Sequence, residues 1–326
     1  MIVTHYEKKG LKLENLILEG ILVLLIIVLS FTAPGFFTTN NLLNVLRNVS
    51  MQGIIAFGMT MVIISGEIDL SVGSAVALAG CLTAFTAEKL SDGTAGIFVM
   101  VFAMLITLII GFGIGIFTGI IRTKFQVPTF ITTLALMAAL SGVANLLTGG
   151  FPLTPFPDWY NFLGGGYVWG IPFPAIIFLL TFGITHCLMN FTTFGRAIYA
   201  VGGNMEAARL SGIKVSFVKI MALSITATLS ALGGIMTSAQ IMSGTPTAAK
   251  GWELDVISAV IIGGTNLTGG SGRIWGTFIG VVFLGIIING MTLLNVSEYW
   301  QYVVRGALIL GAVLLNRIQA MKKHQG

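Results

Sequence analysis

Two carboxylates two residues apart, Glu67 and Asp69, lie in IISGEIDLSVGS at 63–74, where a long apolar run ends. A charged side chain at a bilayer centre costs about 2.5–3.5 kcal/mol on insertion scales, so such residues face protein or water and mark solute or ion paths. With Ser71, the pair is a candidate lining for a translocation pathway or its gate. The same residues admit a structural reading. Asp69 can cap a helix that starts near Leu70, with Ser71 helping, while Glu67 pairs with a cation or lies at the surface. A second polar break, GGTNLTGGSGR at 263–273, adds Thr265 and Asn266 as pathway candidates. It is no P-loop, because the phosphate-reaching lysine and its Ser/Thr neighbour are missing. Its glycines suit a sharp turn or a close backbone approach, and Arg273 reads as an orientation signal. His186 has no acidic neighbour to make a proton relay. No Ser/His/Asp, Cys/His or metal-ligand spacing occurs, so no catalytic residue and no metal site are assigned.

The other polar feature is the net-basic island GRAIYAVGGNMEAARLSGIKVSFVK at 195–219. Asn204 is placed to cap a short helix over 205–211, with Glu206 in its first turn and Gly212 to end it. Two turns of helix are not stable alone in water. The helix must rest on something.

The elements that carry these features are apolar helices. Of 326 residues, 55% are hydrophobic and 9% charged, and the mean hydropathy is +0.95. Apolar runs near twenty residues recur, each long enough for a hydrocarbon layer of about 30 Å. The ten-residue alternation of a β-barrel is absent. The chain reads as an all-α polytopic membrane protein with one transmembrane domain over 1–326. About ten spans are expected, near 16–33, 49–65, 72–88, 96–121, 128–148, 172–191, 216–240, 253–264, 274–295 and 299–317. The eighth is short and is expected to borrow length from the Gly-rich segment after it. The first is read as an uncleaved span, since no small-residue cleavage site follows it. The breaks near 65–71 and 263–273 are related: IISGEIDLSVGS and IIGGTNLTGGS form a weak parallel repeat, and broken helices at matching positions point to a transport path. Glycines every fourth residue at 111, 115 and 119, and again at 276 and 280, predict close helix packing.

The net charge of +5 comes from short loops and termini, where membrane orientation accounts for it; nucleic acid is not implied. Lys8, Lys9, Lys12, Arg122, Lys124, the island and the basic C-terminus fall on one side. That side is cytoplasmic by the positive-inside rule, placing the N-terminus 1–15, the loop 192–215 and the C-terminus 318–326 inside. The loop 149–171, without Lys or Arg, is external. Five of eight prolines and Trp159, Tyr160, Tyr167 and Trp169 crowd residues 151–174, as an interfacial cover or a surface for an external partner. Cys81 and Cys187 lie in apolar runs and are expected as buried small hydrophobes rather than a disulfide.

Four segments then coincide with one family: ISGEIDLSVGS at 64–74, GRAIYAVGGNMEAARLSGI at 195–213, ELDVISAVIIGGTNLTGGSGRIWGTFIG at 253–280 and YWQYVVRGALILGAVLL at 299–315. In order and spacing the chain resembles the permease subunits of ribose/galactose-type monosaccharide ABC importers, binding-protein-dependent inner-membrane components. The resemblance covers nearly the whole chain. It implies a bacterial inner-membrane permease that pairs with a second copy or a similar permease, and that does no covalent chemistry itself. It further implies a cytoplasmic ATPase with two fused nucleotide-binding domains, which uses ATP and Mg, and an external sugar-binding protein. The island would be the coupling segment seated in a cleft of the ATPase, with Asn204, Glu206, Ala207, Ala208, Arg209, Ser211, Gly212 and Ile213 matching its motif. Glu67 departs from the pattern, since relatives often carry a second glycine there. The rival reading is an ion-coupled secondary transporter that uses Glu67 and Asp69 without an ATPase. Because an external binding protein can carry the selectivity, ribose, galactose, xylose, allose, polyols and sugar-like signals all fit as cargo.

Overall fold

The computed structural model describes residues 17–91 and 93–325, with side-chain surroundings up to residue 314. The predicted N-terminal segment 1–15, Asp92 and the side chains of Arg317, Lys322 and Lys323 lie outside the described residues. Among the described residues, thirteen α-helices run in the order α1 (Ile17–Thr32), α2 (Thr39–Ile64), α3 (Val72–Lys89), α4 (Ile97–Lys124), α5 (Thr129–Thr148), α6 (Phe162–Gly165), α7 (Phe173–Phe191), α8 (Thr193–Gly203), α9 (Met205–Leu210), α10 (Val215–Ile241), α11 (Trp252–Ile262), α12 (Ile274–Leu293) and α13 (Glu298–Gln325). Each of the ten expected spans finds a helix. Among the described residues, α2, α4, α5, α7, α10 and α12 are long and apolar enough to cross a membrane by themselves. The others are shorter or less apolar. At eleven residues, α11 is about 16 Å long. It gains nothing from the Gly-rich segment, which turns instead of extending the helix.

The end of the bundle that holds α9 is called the α9 end, and the opposite one the far end. Trp275, at the start of α12, donates to Glu19 on α1 at 3.3 Å, so α1 begins at the α9 end. In turn, α13 starts at the far end beside the end of α12 and runs back for 28 residues, about 42 Å. It continues through 318–325, which the sequence suggested as a tail.

At the centre, α10 packs against α2, α3 and α4. The glycine ladder of α4 makes this possible. A Cβ built on Gly115 would come within 2.3 Å of Ser224 Cα, and one on Gly119 within 2.6 Å of Ile220 Cα. Gly276 and Gly280 do the same for the hairpin of α11 and α12, meeting the Gly263 and Ala259 carbonyls. Without a hydrophobic driving force between helices in lipid, such backbone approach supplies the dispersion contact that holds them together.

The far end is closed by the loop 149–171, more ordered than a proline-rich cover suggests. Tyr160, predicted for an interfacial belt, is fully buried. Its hydroxyl donates to the Ile235 carbonyl at 2.9 Å and lies 2.9 Å from Ser238 Oγ. A two-strand hairpin, β1 (Tyr167–Val168) and β2 (Ile171–Pro172), turns through Trp169 and Gly170, both at positive φ. Trp169 at its tip is 98% exposed. Cys81 is buried as expected, whereas Cys187 is exposed on α7.

The glycine ladder yields a paired test. Gly115→Ala should destabilise the folded chain by about 1–3 kcal/mol through overpacking, while Gly113→Ala, with nothing within 4 Å of its Cβ, should leave the unfolding transition in detergent unchanged. Equal effects would refute the packing role.

Candidate functional site

Three polar features far apart in sequence meet at the α9 end. The first is the cap of α2. Gly66 N–H donates to the Ile63 carbonyl and Glu67 N–H to the Val62 carbonyl, with Gly66 at φ 81°. The second is the cap of α11, where Gly264 N–H donates to Ile261 and Thr265 N–H to Val260, with Gly264 at φ 87°. These are the same Schellman turn at aligned positions of IISGE and IIGGT, so the weak repeat is a repeat of structure. A left-handed residue is required at each, which is why glycine recurs. The third is α9 itself, closed by the same pair of bonds, Gly212 to Arg209 and Ile213 to Ala208.

The two breaks are bonded to each other. Gly270 N–H donates to the Ile64 carbonyl at 2.8 Å, supplying an orphan acceptor at the end of α2. Both touch α8: a Cβ on Gly202 would lie 1.7 Å from the Ile64 carbonyl oxygen, and Tyr199 on α8 donates to the Gly272 carbonyl at 3.0 Å. Burial raises the pKa of the Tyr199 phenol, partly offset by nearby Arg273. A phenol is protonated at neutral pH in any case, and the shift extends that protonated range upward. The helix α8 was not anticipated. The sequence reading left 192–203 as loop, although Thr192 caps it by accepting from Gly195 N–H at 3.1 Å.

Glu67 is 5% exposed and anchors the assembly. Its carboxylate pairs with Lys219 at the start of α10, with Arg122 Nε at the end of α4 at 2.7 Å, and with Thr129 Oγ1 on α5 at 2.5 Å. The pairing reading of Glu67 therefore describes its contacts. Asp69 accepts from Ser71 N–H at 2.8 Å and from Ser71 Oγ at 2.6 Å, an Asx turn just ahead of α3. The extended segment between Glu67 and α3 is fixed by Thr133, whose hydroxyl accepts from Leu70 N–H at 3.1 Å. In the second break, Asn266 Oδ1 accepts from Thr268 N–H at 3.1 Å, while Thr265 is fully buried with no partner for its hydroxyl. The five pathway candidates thus gather at the α9 end, where four of them hold the two breaks in shape.

On the island, Asn204 Oδ1 accepts from Ala207 N–H at 3.0 Å, the cap expected from its position. The helix stops one residue early, at Leu210, with Ser211 as its C-cap. Ala208 is buried and holds α9 to the bundle, so the outward face is Met205, Glu206, Arg209 and Leu210. Glu206 and Arg209 pair at 2.8 Å with both side chains more than 60% exposed, and Leu210 is 84% exposed.

Residues 41–313 match the family described as branched-chain amino acid transport system, permease component. The chain belongs to this permease family. Among curated relatives, the ribose import permease protein RbsC of Bacillus subtilis (strain 168) is 45% identical over 91% of this chain and 90% of its own length. RbsC of Escherichia coli (strain K12) is 43% identical over 96% of both chains, and the L-arabinose ABC transporter permease protein AraH of Azospirillum brasilense is 34% identical over 93% of this chain and 88% of its own. No solved structure matches the chain. The resemblance seen in the motifs is therefore family membership. As a permease component the chain is a multi-pass membrane protein, and the family implies a separate ATPase and a substrate-binding protein.

The sequence reading passed over four charges inside apolar helices: Arg47, Lys219, Asp255 and Arg305. Lys219 was counted with the basic island, yet it is buried on Glu67. Asp255 and Arg305 pair at 3.0 Å between α11 and α13. The signal that would have found Lys219, Asp255 and Arg305 is their position inside expected spans, since an ionisable residue within a span is expected to have a partner there; Arg47 lies ahead of the expected span, on the part of α2 that the structure adds.

Removing Glu67 would leave buried Lys219 and part-exposed Arg122 facing each other without their shared anion. Glu67→Gln should lower the stability of the folded chain by about 3 kcal/mol. Adding Lys219→Met should recover part of that loss, read as thermal unfolding in detergent. A double variant no more stable than Glu67→Gln would show that the carboxylate acts otherwise.

Proposed function

We propose that the chain is the membrane-spanning subunit of an ATP-driven importer. It would carry a monosaccharide or related small polar solute across the bacterial inner membrane by alternating access. The observation that carries this is α9: a six-residue helix, closed at both ends, with an exposed ion pair and an exposed leucine. Such a surface, an exposed ion pair beside Leu210 and Met205 on a short capped helix, fits a cleft of a partner ATPase. Relatives named for ribose and arabinose import point to sugar as the cargo class. In this reading the α9 end is cytoplasmic, both termini lie inside, ten helices form the transmembrane domain, and two permease copies flank one pathway. The chain binds no cofactor, and ATP and Mg belong to the ATPase.

The geometry supports a coupling role for α9. Between α8 and α10, α9 rides on two longer helices, and α8 touches both breaks through Gly202 and Tyr199. In this reading a push on α9 would reach the ends of α2 and α11 through α8, which is packed against both breaks. The shift between outward and inward states requires that the ATPase bind the two states with different affinity. The far end, with Trp169 at the tip of its hairpin, faces the side from which a binding protein delivers solute.

Two measurements test this. The chain alone in liposomes should show no solute uptake under a proton or sodium gradient, and uptake should require its ATPase and ATP; gradient-driven uptake by the chain alone would sink the importer reading. Leu210→Asp and Arg209→Ala should weaken co-purification with the ATPase while leaving the folded permease intact. Full association in both variants would remove α9 as the contact.

A further inference from the structure

The chemistry of a solute site lies away from Glu67, in the half of the bundle toward the far end. A cavity of about 300 Å³ opens between α2, α10, α11, α12 and α13, at the low end of small-ligand sites. Asn48, Gln52, Gln240, Trp252, Asn289 and Arg305 line it. Behind the wall, buried Asp255 accepts from Gln52 Nε2 at 3.1 Å and from Arg305 Nη1 at 3.0 Å. That pair sets both side chains at the cavity and cancels its charge. Asn289 exchanges two amide hydrogen bonds with Asn41, at 2.9 and 2.8 Å.

Other groups at the cavity are left without partners. Among the described residues the side-chain amides of Asn48 and Gln240 make no hydrogen bond, and the buried Arg305 Nε has none either. Asn48 is exposed and Gln240 half-buried, so both amides stand open to solvent or a ligand, whereas the buried Arg305 Nε is a group that needs a partner. Each free amide offers a donor beside an acceptor, which is what neighbouring hydroxyls on a ring need. Trp252 adds an aromatic wall. An anionic solute would find only one cation, already held by Asp255, and a cationic solute only that paired carboxylate. The chemistry selects a neutral polyhydroxylated molecule.

We propose that this cavity is a solute-binding site of the permease itself, taking a neutral monosaccharide during passage; the proposal rests on the importer reading above. The first test titrates the full chain in lipid nanodiscs with D-ribose, D-xylose and L-arabinose, read by tryptophan fluorescence and by saturation transfer to sugar ring protons. At least one sugar should saturate both signals. Asn48→Ala and Gln240→Ala should each raise the half-saturating concentration roughly five-fold, the loss of about one hydrogen bond, and Trp252→Phe should abolish the fluorescence change. All three leave the Asp255–Arg305 pair in place. A linear, non-saturating response, or saturation indifferent to the three variants, would overturn the site. The second test measures ATP-driven uptake in vesicles holding the permease with its ATPase and binding protein. Uptake that persists undiminished in Asn48→Ala/Gln240→Ala defeats the site and leaves the importer reading standing. No uptake by the wild type, with saturation intact in nanodiscs, defeats the importer reading and leaves the site.

Discussion

The α9 end is organised around one buried carboxylate. Taking a charge out of water into a low-dielectric interior costs several kcal/mol unless partners replace its hydration. Glu67 obtains its replacement from Lys219, Arg122 and Thr129. Those partners belong to α10, α4 and α5, so satisfying one side chain draws three helices onto the turn that ends α2. The arrangement is specific because each contact is to a charge or a hydroxyl, and the carboxylate and Lys219 are nearly closed off from solvent.

Backbone groups impose the second constraint. Helices that end inside a membrane protein expose carbonyls that lipid cannot satisfy. Here the ends of α2 and α11 solve the problem twice in the same way, with a left-handed glycine and two closing bonds. The remaining Ile64 carbonyl is met by Gly270 from the other break. The repeat is thus a shared solution to helix termination, and the bond between its copies ties the two halves of the chain at a point touched by α8. The proposed coupling would use that contiguity. A displacement of α9 has a short, packed route to both breaks, while the polar cavity lies beyond them toward the far end.

This separation gives the two regions different chemistry. The α9 end is cross-linked by charge and backbone, as a mechanical joint must be. The cavity region carries amides that are only partly satisfied, and an ion pair whose charges cancel. A transport path must bind its cargo weakly enough to release it, and hydrogen bonds from neutral amides, each of about 1 kcal/mol net, suit that requirement better than exposed charges do.

Much of this was legible in the residues themselves. Local rules decide local structure, so Asn204 and Gly212 marked α9 to within one residue, the glycine spacing marked the helix contacts, and the motif order matched the family. Apolar length alone marked the helices, though it misjudged α11, whose Gly-rich neighbour turns instead of extending it. What the residues could not reveal was which distant groups would meet. That Lys219 leaves the basic island to pair with Glu67, that Tyr160 is an anchor, and that Asp255, Gln52 and Arg305 converge on one cavity depend on segments fifty or more residues apart coming together. Charge and burial act through space, and only the tertiary structure fixes which charges are neighbours.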